Sequence, residues 1–144
     1  MKILIVEDEK LLSKSLIFKL EKEGFSIIQA KDGKDGLKKA LKNHPDLIIL
    51  DIIMPKMDGF VMFQKLREDK WGKKVPVIIL SNLQSPLKIA EIKDDENFIY
   101  LTKADVHLEN LISLIRGSFA MHEADPSLKM GNIMQKVKTK MRVE

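Results

Sequence analysis

The sequence predicts an α/β fold, a doubly wound five-stranded parallel sheet with helices on both faces. Five short apolar runs recur, at residues 3–6, 25–30, 47–50, 75–80 and 98–101. Each is nearly continuous in Ile, Val or Leu, as a parallel strand buried on both faces requires. The stretches between and after them carry helical spacing instead: Leu12, Leu16 and Leu20, then Leu37, Ala40 and Leu41, then Phe63 and Leu66, then Leu108, Leu111, Ile112, Ile115 and Phe119. Alternating strands and helices imply right-handed crossovers and a parallel sheet.

The punctuation supports each element in turn. Gly24 ends the first helix, Asp32-Gly33 marks a turn, and Asp58 is placed to cap the helix carrying Phe63 and Leu66. Ser85-Pro86 supplies an N-cap followed by a proline at the first helical position.

A chain of 144 residues holds one such domain, and 44% hydrophobic with 32% charged residues describes a globular chain rather than a disordered one. No apolar run is long enough to span a membrane, and MKILIVEDE reaches its acids too soon for a secretory signal. The absence of cysteine excludes disulfides, thiolate metal sites and cysteine nucleophiles, and fits a cytoplasmic location. The net charge of +4 is local. Residues 128–144 hold Lys129, Lys136, Lys138, Lys140 and Arg142 against Glu144 alone, which leaves the rest of the chain neutral. Residues 1–122 therefore have no general electrostatic attraction for nucleic acid.

Parallel sheets bind ligands at the carboxyl ends of their strands. Here those ends carry Glu7-Asp8-Glu9, Asp51, Ser81-Asn82 and Thr102-Lys103. Any one of these is ordinary turn chemistry, but two or three carboxylates, a hydroxyl and a lysine at four strand ends of one sheet are not. Neighbouring carboxylates repel unless a cation intervenes, and an all-oxygen site selects Mg²⁺. Asp51 can attack phosphorus, while Lys103 and Ser81 can each serve a phosphoryl oxygen. No GxGxxG or Walker sequence is present, which argues against nucleotide binding, and His44, His107 and His122 lie away from the strand ends. Trp71 reads as a cover for apolar surface.

These residues resemble the receiver domain of the two-component response-regulator family over about residues 1–120. The resemblance rests on ILIVEDE, LIILDIIMPKMDGF around Asp51, VIILS ending at Ser81, and YLTKAD around Lys103. It implies a flavodoxin-like sheet of order 2-1-3-4-5 and a phosphoryl group accepted on Asp51 from a histidine kinase or phosphotransfer protein. It further implies Mg²⁺ bound directly by Asp8, Asp51 and the Ile53 backbone carbonyl, with Glu7 assisting through water. Ser81 and Lys103 would contact the phosphoryl group, and Tyr100 would turn inward as Ser81 moves toward it. The plainer alternative for Tyr100 is a strand end with its hydroxyl in solvent.

The sequence also departs from the family pattern. Ala104 follows Lys103 where the family usually has a cis-proline; a cis bond before a non-proline is costly, which leaves the Lys103–Ala104 bond cis or trans as far as the sequence goes. Asn82 replaces a small residue beside the hydroxyl, and the acidic 93–97 loop replaces the usual Gly-Ala. The resemblance further implies that the residues two after the phosphoacceptor and two after the hydroxyl flank the approach of water to the acyl phosphate; here they would be Ile53 and Leu83, which cannot hydrogen-bond it, and a long-lived phosphoprotein is expected.

Residues 1–122 are thus assigned to the receiver and 123–144 to a basic extension. In the extension Met130, Ile133, Met134, Val137 and Met141 form a helical stripe. That stripe suits a helix packed on the receiver, a linker to a further segment, or a partner-binding or homodimer-forming helix. The function expected is a phosphorylation-activated switch acting on a downstream protein partner, and not an enzyme. A phosphorylation-independent interaction module is the alternative. An aspartyl-phosphate phosphatase is less well supported, because such enzymes need a second acid where Ile53 stands.

Overall fold

The computed structural model describes residues 1–52, 56–82, 90–92 and 94–141. Its strands are β1 (Lys2–Val6), β2 (Ser26–Ala30), β3 (Leu47–Leu50), β4 (Val77–Ser81) and β5 (Phe98–Thr102), joined in the all-parallel order β2-β1-β3-β4-β5. The helices among the described residues are α1 (Lys10–Lys22), α2 (Gly33–Asn43), α3 (Gly59–Glu68), α4 (Leu108–Ala124) and α5 (Met130–Met141). Strand number, order and direction are those expected. Ser85 and Pro86 lie outside the described residues.

Side-chain alternation along each strand divides the core in two. Ile3, Ile5, Ile49, Ile78, Leu80 and Leu101 join Leu16 and Leu20 of α1 and Leu111 and Ile115 of α4 on one face. Leu4, Val6, Ile48, Leu50, Val77 and Ile79 join Ala40 of α2 and Met62, Phe63 and Leu66 of α3 on the other. This is why the strand sequences are apolar without a break.

The capping residues act locally. Asp58 accepts the Val61 N–H at 2.9 Å, as expected, and Gly24 takes φ +95° just beyond α1. Asp32 does more than turn the chain, since it accepts the Asp35 N–H at 2.8 Å and starts α2 at Gly33. Trp71 is half-buried against the core and stacks on His44 at 4.3 Å.

Helix α4 runs on to Ala124, and a turn at residues 125–129 leads into α5. Met130, Ile133 and Met134 are buried in the core face shared by α1 and α4, while Val137 and Met141 are half-buried. A Cβ on Gly131 would lie 2.0 Å from the Glu96 carbonyl oxygen and 2.6 Å from Asn97 Cα, so α5 touches the backbone entering β5. Lys129 pairs with Glu96 beside this contact.

Candidate phosphoacceptor site

The sheet register brings the predicted residues together. Val6 pairs with Leu50, so the next residues, Glu7 and Asp51, leave adjacent strands at the same level. Backbone bonds extend both ends: Glu7 N–H donates to the Ala30 carbonyl at 3.1 Å and Asp51 N–H to the Val6 carbonyl at 3.0 Å. On the other side of β3, Ser81 pairs with Thr102, and the Lys103 N–H donates to the Ser81 carbonyl at 3.2 Å.

Lys103 closes the site. Its Nζ lies 2.8 Å from Glu7 Oε1, 3.0 Å from Asp51 Oδ2 and 3.6 Å from Glu9 Oε2. Burial works to lower the Lys103 pKa, but hydrogen bonds to Glu7 and Asp51 outweigh it and raise it, which keeps the ammonium charged. Glu7 is buried, and desolvation pushes its carboxyl up to about 7 against the hydrogen bonds from Lys103 and the Glu9 N–H, with the Asp51 charge adding to the rise.

Glu7, Asp8 and Asp51 each offer an oxygen, and these atoms lie within 4.8 Å of one another. Asp8 is exposed while the other two are buried, so the cluster opens to solvent on one side. Three hard oxygen donors with one open side suit Mg²⁺, which keeps several waters and accepts further oxygens from a phosphoryl group. Ile53, expected to add its carbonyl, lies outside the described residues, as does Leu83.

Tyr100 is half-buried on the α3 side of the sheet, and its hydroxyl donates to the Ser81 carbonyl at 3.5 Å, the long limit for such a bond. Burial, followed by the charge of Asp51, raises its pKa. The hydroxyl thus lies next to the β4 end that carries Ser81, with the ring still partly open to solvent. Asn82 turns its side-chain oxygen to accept the Ala104 N–H at 3.0 Å, and the Lys103–Ala104 peptide is trans. None of the three histidines belongs to the carboxylate cluster.

Two contributions were not evident from sequence. A Cβ on Gly59 would lie 2.3 Å from the Asp51 carbonyl oxygen and 2.6 Å from Ile52 Cα, so only glycine lets α3 start against the backbone of Asp51. Further away, Arg67 grips Asp95 through Nε at 2.6 Å and Nη2 at 3.1 Å, and donates to the carbonyls of Gly72 and Val75 at 2.7 Å and of Asn97 at 3.1 Å. It thereby fixes the chain entering β5. Asp58-Gly59 is a visible sequence signal for the first contribution; nothing local signals the second.

A five-stranded 2-1-3-4-5 sheet with acids and a lysine gathered at its strand ends is the architecture of receiver-like flavodoxin folds. Residues 3–116 match the response regulator receiver domain family, and the chain belongs to that family. The alkaline phosphatase synthesis transcriptional regulatory protein PhoP of Bacillus subtilis is 38% identical over 95 residues, covering 66% of this chain and 35% of that protein. The DNA-binding dual master transcriptional regulator RpaA of Synechocystis is 35% identical over 115 residues, covering 80% of this chain and 47% of that protein. Among solved structures, the chemotaxis protein CheY4 of Vibrio cholerae superposes with a TM-score of 0.71 at 30% identity, covering 80% of this chain and 95% of that one. The chain spans between a third and a half of the length of these two curated relatives.

Receiver domains are signalling modules of two-component systems, generally bind Mg²⁺ at an acidic pocket, and interact with histidine kinases or phosphotransfer proteins. No helix among the described residues is long and apolar enough to cross a membrane.

Proposed function

We propose that this chain is a phosphorylation-activated switch in which Asp51 accepts a phosphoryl group from the phosphohistidine of a histidine kinase or phosphotransfer protein. The observation that carries this reading is the position of Lys103 Nζ, 3.0 Å from Asp51 and 2.8 Å from Glu7, at the junction of three strand ends. An Asp51 carboxylate oxygen bonds to phosphorus as the phosphorus–nitrogen bond to the donor imidazole breaks. The imidazole leaves with that electron pair. Lys103 then exchanges a carboxylate partner for a phosphoryl oxygen, and the Ser81 hydroxyl donates to another.

Asp8 and Asp51, with the Ile53 carbonyl, are proposed to hold Mg²⁺, and Glu7 to assist through water. The metal, when bound, offsets charge between the carboxylate and phosphoryl oxygens. Tyr100 responds because its hydroxyl already bonds to the Ser81 carbonyl, so movement of Ser81 changes the partner of the ring. Residues 1–122 are proposed as the receiver and 123–144 as an extension, in a cytoplasmic protein that acts through a downstream protein partner.

Incubation with acetyl phosphate and Mg²⁺, followed by intact mass, tests the reading. It predicts a gain of one phosphoryl group that is lost in Asp51→Asn. No gain at all would instead indicate an interaction module that works without phosphate.

A further inference from the structure

We infer that the C-terminal half of α5, residues 135–141, reports the state of the Asp51 site, coupled to it through the backbone of Tyr100; this rests on the proposed role of Asp51. In a parallel strand the N–H and C=O of one residue point to the same side, and successive residues alternate. Asn97 and Lys103 direct their peptide groups to β4, through the Val77 N–H to Asn97 carbonyl bond at 2.9 Å and the Lys103 N–H to Ser81 carbonyl bond at 3.2 Å. Tyr100, of opposite parity, directs its carbonyl to the open edge of the sheet. There Lys138 Nζ donates to it at 3.0 Å.

Helix α5 thus runs parallel to β5 along that edge, from Gly131 beside Glu96 and Asn97 to Lys138 beside Tyr100. Its two halves are held differently. Met130, Ile133 and Met134 are buried, and Gly131 sits directly against backbone, which locks the first half. In the second half Gln135, Lys136, Thr139 and Lys140 are exposed, Val137 and Met141 are half-buried, and the Lys138 bond is the polar tie to the sheet among the described residues.

Tyr100 therefore carries a contact at each end. Its hydroxyl bonds to the Ser81 carbonyl within the field of Asp51, and its carbonyl bonds to Lys138. The Lys138 bond fits the present position of the Tyr100 peptide. Repacking of the ring when Asp51 is occupied displaces that peptide and loosens the second half of the helix from the edge of β5. Coupling of this kind is reciprocal: the Lys138 bond weakens the binding of a phosphoryl mimic by the same factor as the mimic loosens the helix.

Amide exchange on the full chain, with and without beryllofluoride and Mg²⁺, tests the inference, with occupancy of Asp51 followed independently by fluorine resonance. Exchange over residues 135–141 is expected to accelerate by about 3-fold or more, while residues 130–134 stay unchanged. Lys138→Met, which keeps the apolar stem, should show fast exchange over 135–141 before beryllofluoride is added, little further change on adding it, and a tighter beryllofluoride complex. Unchanged exchange at 135–141 with Asp51 occupied overturns the coupling and leaves the proposed function standing. Loosening that begins at residue 130 overturns the division of the helix. Failure of beryllofluoride to bind overturns the role of Asp51 and this inference together.

Discussion

The Lys103 ammonium lies 2.8 Å from Glu7 Oε1, so a buried acid whose carboxyl is raised by desolvation is held by the cation for which a phosphoryl group on Asp51 would compete. Because Glu7 has its carboxyl raised from 4.5 to about 7, the folded protein retains a proton that the unfolded chain has released over that interval. The associated stabilisation is fully present below about pH 4.5 and is lost as the pH rises through about 7. Denaturant unfolding from about pH 5 to about pH 8 should show a steeper loss of stability in the parent than in Glu7→Gln, which cannot titrate there. Parallel profiles would show that Glu7 is not the responsible group. Mg²⁺ should stabilise the parent more above pH 7 than below it, because metal and proton compete for the same carboxylates.

Gly59→Ala should damage the site as well as the fold. Its Cβ would meet the Asp51 carbonyl oxygen at 2.3 Å, and relieving that contact moves the backbone that carries the phosphoacceptor. A cost of about 1–3 kcal/mol is expected from overpacking. Gly24→Ala provides the control: φ there is +95°, so alanine is strained, but the position has no close neighbour and lies far from Asp51 along the chain. Both variants should lower the denaturant midpoint, and only Gly59→Ala should slow phosphorylation by acetyl phosphate. Equal phosphorylation rates would remove Gly59 from the account of the site.

Arg67→Met should destabilise the protein without altering phosphate uptake at saturating acetyl phosphate. The methionine keeps packing over the Phe63 ring, which lies 4.6 Å from the guanidinium, but leaves Asp95 and three carbonyls without their donor. Removing one partner of a largely buried ion pair costs about 3–5 kcal/mol. Thermal unfolding measures this, and a loss below about 1 kcal/mol would mean that water replaces the guanidinium cheaply.

Ser81→Ala should still accept phosphate yet transmit less of it to Tyr100. The chain has a single tyrosine, so a ring label reports this residue alone. Beryllofluoride is expected to shift the ring resonances strongly in the parent and by less than half as much in the variant. A full shift in Ser81→Ala would show that the hydroxyl does not link phosphate to the ring.

Most of the fold was legible because the relevant signals are local. Unbroken apolar runs such as Leu47-Ile48-Ile49-Leu50 report burial on both faces, and the spacing of Leu12, Leu16 and Leu20 reports one face of a helix. The clustering of the candidate residues was legible because a parallel sheet places strand ends together, so Glu7, Asp51 and Lys103 are associated by topology before any distance is known. The Tyr100 hydroxyl could be assigned to solvent or to the site from sequence, and its position beside the Ser81 carbonyl depends on side-chain packing that no local pattern states. Arg67 was illegible for a different reason: an arginine near a helix end reads as a solvated charge, and its partners Asp95 and Asn97 belong to another loop. The extension was legible as a helix from its Met and Ile spacing, but periodicity does not state what the stripe faces. The close approach of Gly131 to Glu96 and Asn97 supplies that.

The central claim is that Asp51 carries the phosphoryl group, and the most direct measurement is borohydride reduction of the phosphorylated protein followed by peptide mapping. Reduction of an acyl phosphate converts the aspartate to homoserine, which marks the residue permanently. The account predicts homoserine at position 51 alone. Homoserine at Asp8 or any other position, or a phosphorylated protein in which position 51 remains aspartate, would contradict it.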